Sequence, residues 1–239
     1  MLIILDTNNK TNQLDDPFKC NIQISPPIQN VSHINLLSLT IPYCWYMIRT
    51  NFDTFKFTIY DNSDILVNTY TLTLAHGNYN NTELQTLIQT GINNLISETS
   101  TVVFNNNTGK ITISLSGGYE IQIHETPLSK YVLGFTDLQL STSSSLVATN
   151  RYNLSHDTYI TLCINNLNSK FNDGLTTFHV PVINNPNDIL TNFTKLTFEQ
   201  SAKCEARNLT NITITVRDKY NNELTNNGID MNLVCQIIF

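Results

Sequence analysis

The sequence predicts an all-β protein, an antiparallel β-sandwich with one amphipathic helix packed against it. Three observations carry this. Apolar residues recur mostly at every second position, the period of a half-buried strand. One segment alone switches to the helical period. Asn and Thr, 34 and 31 of the 239 residues, make up more than a quarter of the chain, and both favour turns, strands and caps over helix interiors. With 41% hydrophobic residues the chain is rich enough to bury a core, and at 13% charged it is wetted by amides and hydroxyls more than by ions. This composition excludes a disordered chain, a coiled coil, a collagen and a helical bundle.

The strands follow in order. Phe18, Cys20, Ile22 and Ile24 alternate with Lys19, Asn21 and Gln23, and Pro26-Pro27 is expected to stop that strand. Ile34 to Ile41 is more continuously apolar and reads as a strand buried on both sides, ending at Pro42 and the aromatic group Tyr43, Trp45 and Tyr46. Phe55, Phe57 and Ile59 alternate with Lys56 and Thr58; a turn at Asp61-Asn-Ser-Asp64 leads into a strand over Val67–Leu74. Further strands are expected at Val102–Phe104, Ile111–Leu115, Tyr119–Ile123, Tyr159–Asn165, Thr177–Val182, Lys195–Phe198, Leu209–Val216 and Leu233–Phe239. Asn105 to Gly109 reads as a hairpin turn, as does Gly117-Gly118.

Leu84, Leu87, Ile88, Ile92, Leu95 and Ile96 define the helix by their spacing at i, i+3, i+4, i+8, i+11 and i+12. Asn80 is placed as its N-cap with Glu83 at N3, and Tyr79 and Leu84 as a hydrophobic staple. Gly91 lies on the buried stripe and would let the helix approach a sheet. A shorter helical turn is expected over Pro127 to Leu133, closing at Gly134. Ser141–Ser145 is the one low-complexity run and reads as a surface loop. No linker or fixed-period repeat divides the chain, so residues 1–239 are expected to form a single domain.

Thirteen basic against 19 acidic residues leave a net charge of −6, with no run of like sign; Asp15–Asp16 and Lys203–Arg207 are the densest spots. Without a basic arm or stripe the chain lacks the counterion-releasing surface of a nucleic-acid binder. Met1–Leu5 is apolar but far short of a membrane span, and it lacks the layout of a signal peptide. Five widely spaced cysteines, Cys20, Cys44, Cys163, Cys204 and Cys235, show no metal spacing and read as free, mostly buried thiols. Sequons such as Asn153-Leu-Ser155 and Asn192-Phe-Thr194 are expected by chance in so Asn- and Thr-rich a chain, and read as unglycosylated.

Little here points to catalysis. His33, His76, His124, His156 and His179 are scattered, with no metal-binding spacing, nucleophile elbow, phosphate loop or dinucleotide fingerprint. Spacing is silent on a Cys–His pair, because such partners meet in space. Asp53, Asp61 and Asp64 do not form a calcium-loop series and read as turn residues, as do Asp15 and Asp16. Tyr43, Trp45, Tyr46 and Phe52 form either a core cluster at one end of the sandwich, the favoured reading, or a sugar-stacking or contact platform. The chain is therefore expected to be no enzyme, with no catalytic, cofactor-binding or metal-binding residues and no cofactor.

The order of motifs adds a resemblance. The strand ending Ser38-Leu-Thr-Ile-Pro42-Tyr-Cys-Trp-Tyr46, then Asn51-Phe52 and Phe55-Lys-Phe57, resembles the early part of the penton proteins of virophages, Polinton-like viruses and related large DNA viruses. The likeness continues through Gly77-Asn-Tyr79-Asn before the helix, the Asn107-Thr-Gly109-Lys-Ile-Thr hairpin and Leu133-Gly-Phe135. Ile212-Thr-Ile-Thr-Val216-Arg-Asp218, an Asn-rich turn, Gly228-Ile-Asp230 and a last strand resemble the closing strands of viral jelly-roll capsid proteins. The resemblance implies a single jelly roll of two four-stranded antiparallel sheets that forms homopentamers at the icosahedral five-fold vertices of a virion assembled inside the infected cell. Its implied partners are further copies of itself, the neighbouring major capsid protein and minor capsid proteins. The alternatives are a minor or cement capsid protein and a carbohydrate-binding β-sandwich module.

Overall fold

A computed structural model of the chain describes residues 1–136, 139–140, 144–155, 157–165, 176–182, 189–193 and 201–239. Strands β1 (Leu2–Asp6), β2 (Lys19–Pro42), β3 (Thr54–Tyr60) and β4 (Leu66–Thr73) precede helix α1 (Asn81–Leu95). Next come β5 (Ser100–Asn105), β6 (Lys110–Leu115), β7 (Glu120–Ile123), β8 (Gln139–Leu140) and β9 (Ser145–Val147). The chain closes with β10 (Tyr159–Asn165), β11 (Thr176–Pro181), β12 (Ile189–Phe193), β13 (Ser201–Arg217) and β14 (Asn232–Ile238). Every pairing among them is antiparallel, and the fold is the all-β, jelly-roll-like sandwich class that the residue pattern predicts. The strands are bonded into sheets of seven, four and three in place of the two four-stranded sheets implied by the resemblance.

Where the sequence suggests one domain, the backbone gathers into two compact units: Met1–Trp45 with Asp157–Phe239, and Tyr46–His156. No Pro, Gly or Ser-rich linker marks the crossings at Trp45 and Asp157, so composition carries no trace of them.

The first unit is built on β2. Its 24 residues would span about 80 Å if straight. The sheet order is β1-β14-β2-β13-β10-β11, with β12 also on β2. Pro26-Pro27 does not end this strand. The pairing with β13 takes two steps on that strand, Leu209 to Asn211, against five on β2, Ile28 to Gln23. The prolines, which have no N–H to donate, thus sit in a bulge that the ladder skips, with the Ser25–Pro26 peptide cis. A second bulge lies at Leu37, because Val234 faces Ser38 while Cys235 faces Leu36. It shifts the phase of burial: Ile34, Leu36, Leu39 and Ile41 are buried, and Leu37 is 36% exposed. The expected burial on both faces is accordingly half met, since Ser38 and Thr40 are only partly covered.

Alternate residues of these strands, among them Cys20, Ile22, Ile160, Leu162, Ile212, Ile214, Leu233 and Cys235, form one apolar core. The N-terminal turn is clamped to the C-terminal loop: Lys10 Nζ lies 3.1 Å from Asp230 Oδ1, and Thr7 Oγ1 donates to the same oxygen at 2.9 Å. Three strands, two here and one in the second unit, carry little sequence signal. β1 lies in the unbroken apolar run Met1–Leu5, β9 follows the serine run, and β12 is a short polar-apolar mixture. The strand expected at Lys195–Phe198 lies outside the described residues.

The second unit contains the sheets β4-β3-β7-β8 and β5-β6-β9. Gly117-Gly118 links β6 in one to β7 in the other, so it is a corner between sheets, not a hairpin. Helix α1 has the expected cap, with Asn80 Oδ1 accepting from Glu83 N and Glu83 Oε2 accepting from Asn80 N. Leu84, Ile88 and Ile92 are fully buried. A Cβ at Gly91 would fall 2.6 Å from the Leu72 methyl carbons, so the missing side chain is what lets α1 approach β4. On a neighbouring stripe of α1, Gln85 and Gln89 accept from the backbone N–H groups of Phe104 and Val102 at 3.2 and 3.0 Å, and Asn93 accepts from Ser100 N at 2.7 Å. Four helical residues rise about 6 Å and two strand residues about 6.8 Å, so three side-chain amides seal one edge of β5.

The turn Leu128–Val132 closes as expected at Gly134, whose φ is +82°. A Cβ there would stand 2.5 Å from Asn150 O and 2.9 Å from Arg151 O. Gly134→Ala is expected to destabilise this unit by about 2 kcal/mol or more, seen as an earlier urea transition by circular dichroism. A midpoint equal to wild type would contradict that packing.

Candidate functional site

The histidines do not converge. His33 Nδ1 contacts Ser32 Oγ at 3.1 Å, His76 Nε2 contacts Asp53 Oδ2 at 3.1 Å, and His179 Nδ1 contacts Thr161 Oγ1 at 3.2 Å. His156 lies outside the described residues. His124 Nε2 lies 2.7 Å from Thr58 Oγ1, the separation of a base from a hydroxyl nucleophile. Thr58 is only 3% exposed, however, and its hydroxyl also bonds Thr69 Oγ1 at 2.8 Å. Burial, reinforced by Lys56, holds the imidazole of His124 below its ordinary pKa, which favours a neutral ring tied into the sheet. Among the described residues no three His, Cys, Asp or Glu side chains gather as a metal site would require.

The environment of the described thiols disfavours their ionisation. Cys20, Cys163 and Cys235 are buried and Cys44 is half-buried, all unpaired with one another. Burial pushes Cys20 up to about 11 and Cys235 up to about 12, and raises Cys163 and Cys44 as well. At neutral pH these groups are thiols, and the thiolate is the nucleophile. The side chain of Cys204 lies outside the described residues.

The aromatic group divides. Tyr43 and Trp45 are buried in the first unit, their rings stacked at 4.1 Å, and Phe18 lies 5.8 Å from Trp45. The indole N–H donates to Asp157 Oδ2 at 3.2 Å, which joins the residue where the chain leaves this unit to the residue where it returns. Asn227 Nδ2 donates to Cys44 O beside it. In the second unit, Phe52 is buried under the Arg49 guanidinium, 5.0 Å above its ring, and Tyr46 is 39% exposed. A sugar platform needs open ring faces; the core reading prevails for Tyr43, Trp45 and Phe52.

A polar groove of about 640 Å³ opens in the first unit, lined by Asp15, Asp16, Lys19, Thr213, Arg217 and Glu223 among others. Its charged side chains are held by near neighbours, with Lys19 and Arg217 both beside Glu223. Lys19 Nζ lies 2.7 Å from Glu223 Oε2, Arg217 donates to Asn221 Oδ1 at 3.0 Å, and Asp16 accepts from the backbone of Phe18 and Asn226. Asp15 and Asp16 are turn residues, as their sequence context suggests.

Two edge strands carry exposed apolar side chains: β4 in the second unit, at Leu66 and Val67, and β1 in the first. Leu2 and Ile4 are 63% and 72% exposed, while Leu5 on the other face is buried. Met1 exchanges both backbone bonds with Ile237, and Thr7 N donates to Met231 O. By the alternation of an antiparallel pair, the backbone groups of Leu2, Ile4 and Asp6 point away from β14. No feature of the sequence announces this edge, because Leu-Ile-Ile-Leu alternates in neither polarity nor size. The amides of Gln85, Gln89 and Asn93, by contrast, were open to reading from their i, i+4, i+8 spacing.

Compared with known proteins, the chain matches no protein-family model and no curated protein sequence. Among solved structures it is similar to the crystal structure of the selenomethionine-labelled mavirus penton protein, at 12% identity and a TM-score of 0.58, covering 100% of this chain and 99% of that one. The likeness establishes a shared fold. A flagellar cap protein from Escherichia coli also aligns, at 10% identity, but its TM-score of 0.17 carries no argument.

Trp45 is the sole tryptophan, so its fluorescence reports this junction alone. Asp157→Ala strands the buried indole N–H and is expected to cost about 1–3 kcal/mol, with red-shifted emission and an earlier transition in urea; unchanged emission and midpoint would show the bond to be dispensable. The thiols set an alkaline limit. Their folded values lie above the ordinary 9.0, so folding holds protons that the unfolded chain releases. Their contribution is complete below about pH 9 and declines as pH rises through about 11 to 12. The melting temperature is expected to fall across that window, and alkylation at pH 8 to reach Cys44 before Cys20 or Cys235; the reverse order would contradict the burial.

Proposed function

We propose that this chain is a structural viral capsid protein whose work is contact with neighbouring subunits, not chemistry, and that it forms homopentamers at the five-fold vertices of an icosahedral virion. The observation that carries the reading is the end-to-end coverage of the fold shared with the mavirus penton protein. The residues agree with it. In the groove described, Lys19 and Arg217 flank Glu223, the described thiols are held as thiols by burial, and the shortest hydroxyl–imidazole contact, His124 to Thr58, lies inside a sheet.

The surface suits assembly. At 13% charged residues and a net −6, it carries few ions that would have to be stripped of water when covered. A ring closes when one patch on each copy meets a different patch on the next. The partners of such a ring are other copies of this chain, the surrounding major capsid protein and minor capsid proteins, and its place is the virion.

Light scattering on purified protein is expected to give a mass five times 27.1 kDa, and cryo-electron microscopy of virions to place the chain on five-fold axes. A monomer at all concentrations, or density confined to positions between capsomers, would replace this reading with that of a cement protein.

A further inference from the structure

We infer that the free edge of β1, with the apolar surface beside it, is where one copy of this chain joins another; this rests on the assembly reading above. Three observations carry it. First, the edge is open. Among the described residues no strand pairs with β1 on the side away from β14, and the backbone groups of Leu2, Ile4 and Asp6 point outward. Natural edges are blunted by Lys, Pro, a bulge or a covering element. Among the described residues this strand has none of them, its five-residue register with β14 runs without a shift, and the same molecule seals one edge of β5 with three helical amides.

Second, the flanking surface has the size and chemistry of an interface core. Leu2 and Ile4 on β1 and Ile238 at the end of β14 are 63%, 72% and 38% exposed, and Phe239, the residue after β14, is 63% exposed. They present on the order of 400 Å² of apolar surface, about half of the roughly 800 Å² that a standard interface takes from each partner. Strand pairing along the edge and the polar residues around it supply the remainder.

Third, the electrostatics favour a second copy of this chain. The strand's single carboxylate, Asp6, already accepts from Asn8 N at 2.8 Å, and the cation next to it, the Met1 ammonium, already donates to Ile237 O at 2.8 Å. Two copies therefore meet here without like-charge repulsion, whereas a strongly charged partner would find no counter-charge.

Analytical ultracentrifugation of the full chain tests this. Ile4→Lys puts a charge at the most exposed apolar position of β1. Ile4→Pro removes an N–H that β14 does not use. Val103→Lys places the same charge on an exposed residue of β5 as a control. Wild type and Val103→Lys are expected to associate alike. Both Ile4 variants should lose about tenfold or more in self-association, with unchanged melting temperature at monomer concentrations. Association of both Ile4 variants as strong as wild type would overturn the inference, leave the edge to a different capsid protein, and leave a wild-type pentamer standing. A wild-type dimer abolished by Ile4→Lys would uphold the inference and refute five-fold closure. A monomeric wild type would overturn both.

Discussion

Each strand of the seven-stranded sheet reaches the others through the backbone of β2. β12, β13 and β14 bond to it directly, β1 through β14, and β10 and β11 through β13. A strand of 24 residues cannot stay flat, because successive residues twist and the core must be enclosed. Bulges at residues 24–27 and at Leu37 take up the mismatch. Each resets which side chains face inward, so the core depends on where β2 breaks its regular pairing as much as on the pairing itself.

This explains which parts of the structure were legible in the sequence. Helix α1 could be read closely, because its cap, its apolar stripe and the approach at Gly91 are local properties; Leu95, assigned to the stripe, is instead 38% exposed in the last turn. The hairpin strands from Ser100 to Leu115 were legible for the same reason. Pro26-Pro27 misled because proline forbids a ladder hydrogen bond but does not forbid an extended chain, and whether a partner can skip it is decided by Leu209 and Asn211, far away in sequence. The two-unit division was invisible because the first unit joins segments separated by the whole of Tyr46–His156. For the candidate surface, spacing arguments could dismiss a metal site, but the openness of β1 depends on neighbours that no local pattern encodes.

Electrostatics enters this molecule sparingly. Where ions are used they hold the chain to itself: Lys10 on Asp230 ties the first turn to the last loop, and Lys19 with Arg217 flank Glu223. Amides and hydroxyls perform duties that charges perform elsewhere, from Asn80 at the helix start to Thr213 bonding Asn21 across neighbouring strands. Neutral groups of this kind are held by geometry more than by long-range attraction, so added salt has little on which to act.

The clamp between the first and last strands also has a meaning in time. Met1 bonds Ile237, 236 residues later, so β1 and the second edge of β2 have no partner until the ribosome has made β14. The Tyr46–His156 unit, whose strands and helix pair with near neighbours, has what it needs to fold as it emerges. Its partner unit must wait, with an apolar strand uncovered, until β14 has emerged. The seven-stranded sheet is thus the later of the two to close, after the intervening unit already has every residue it needs.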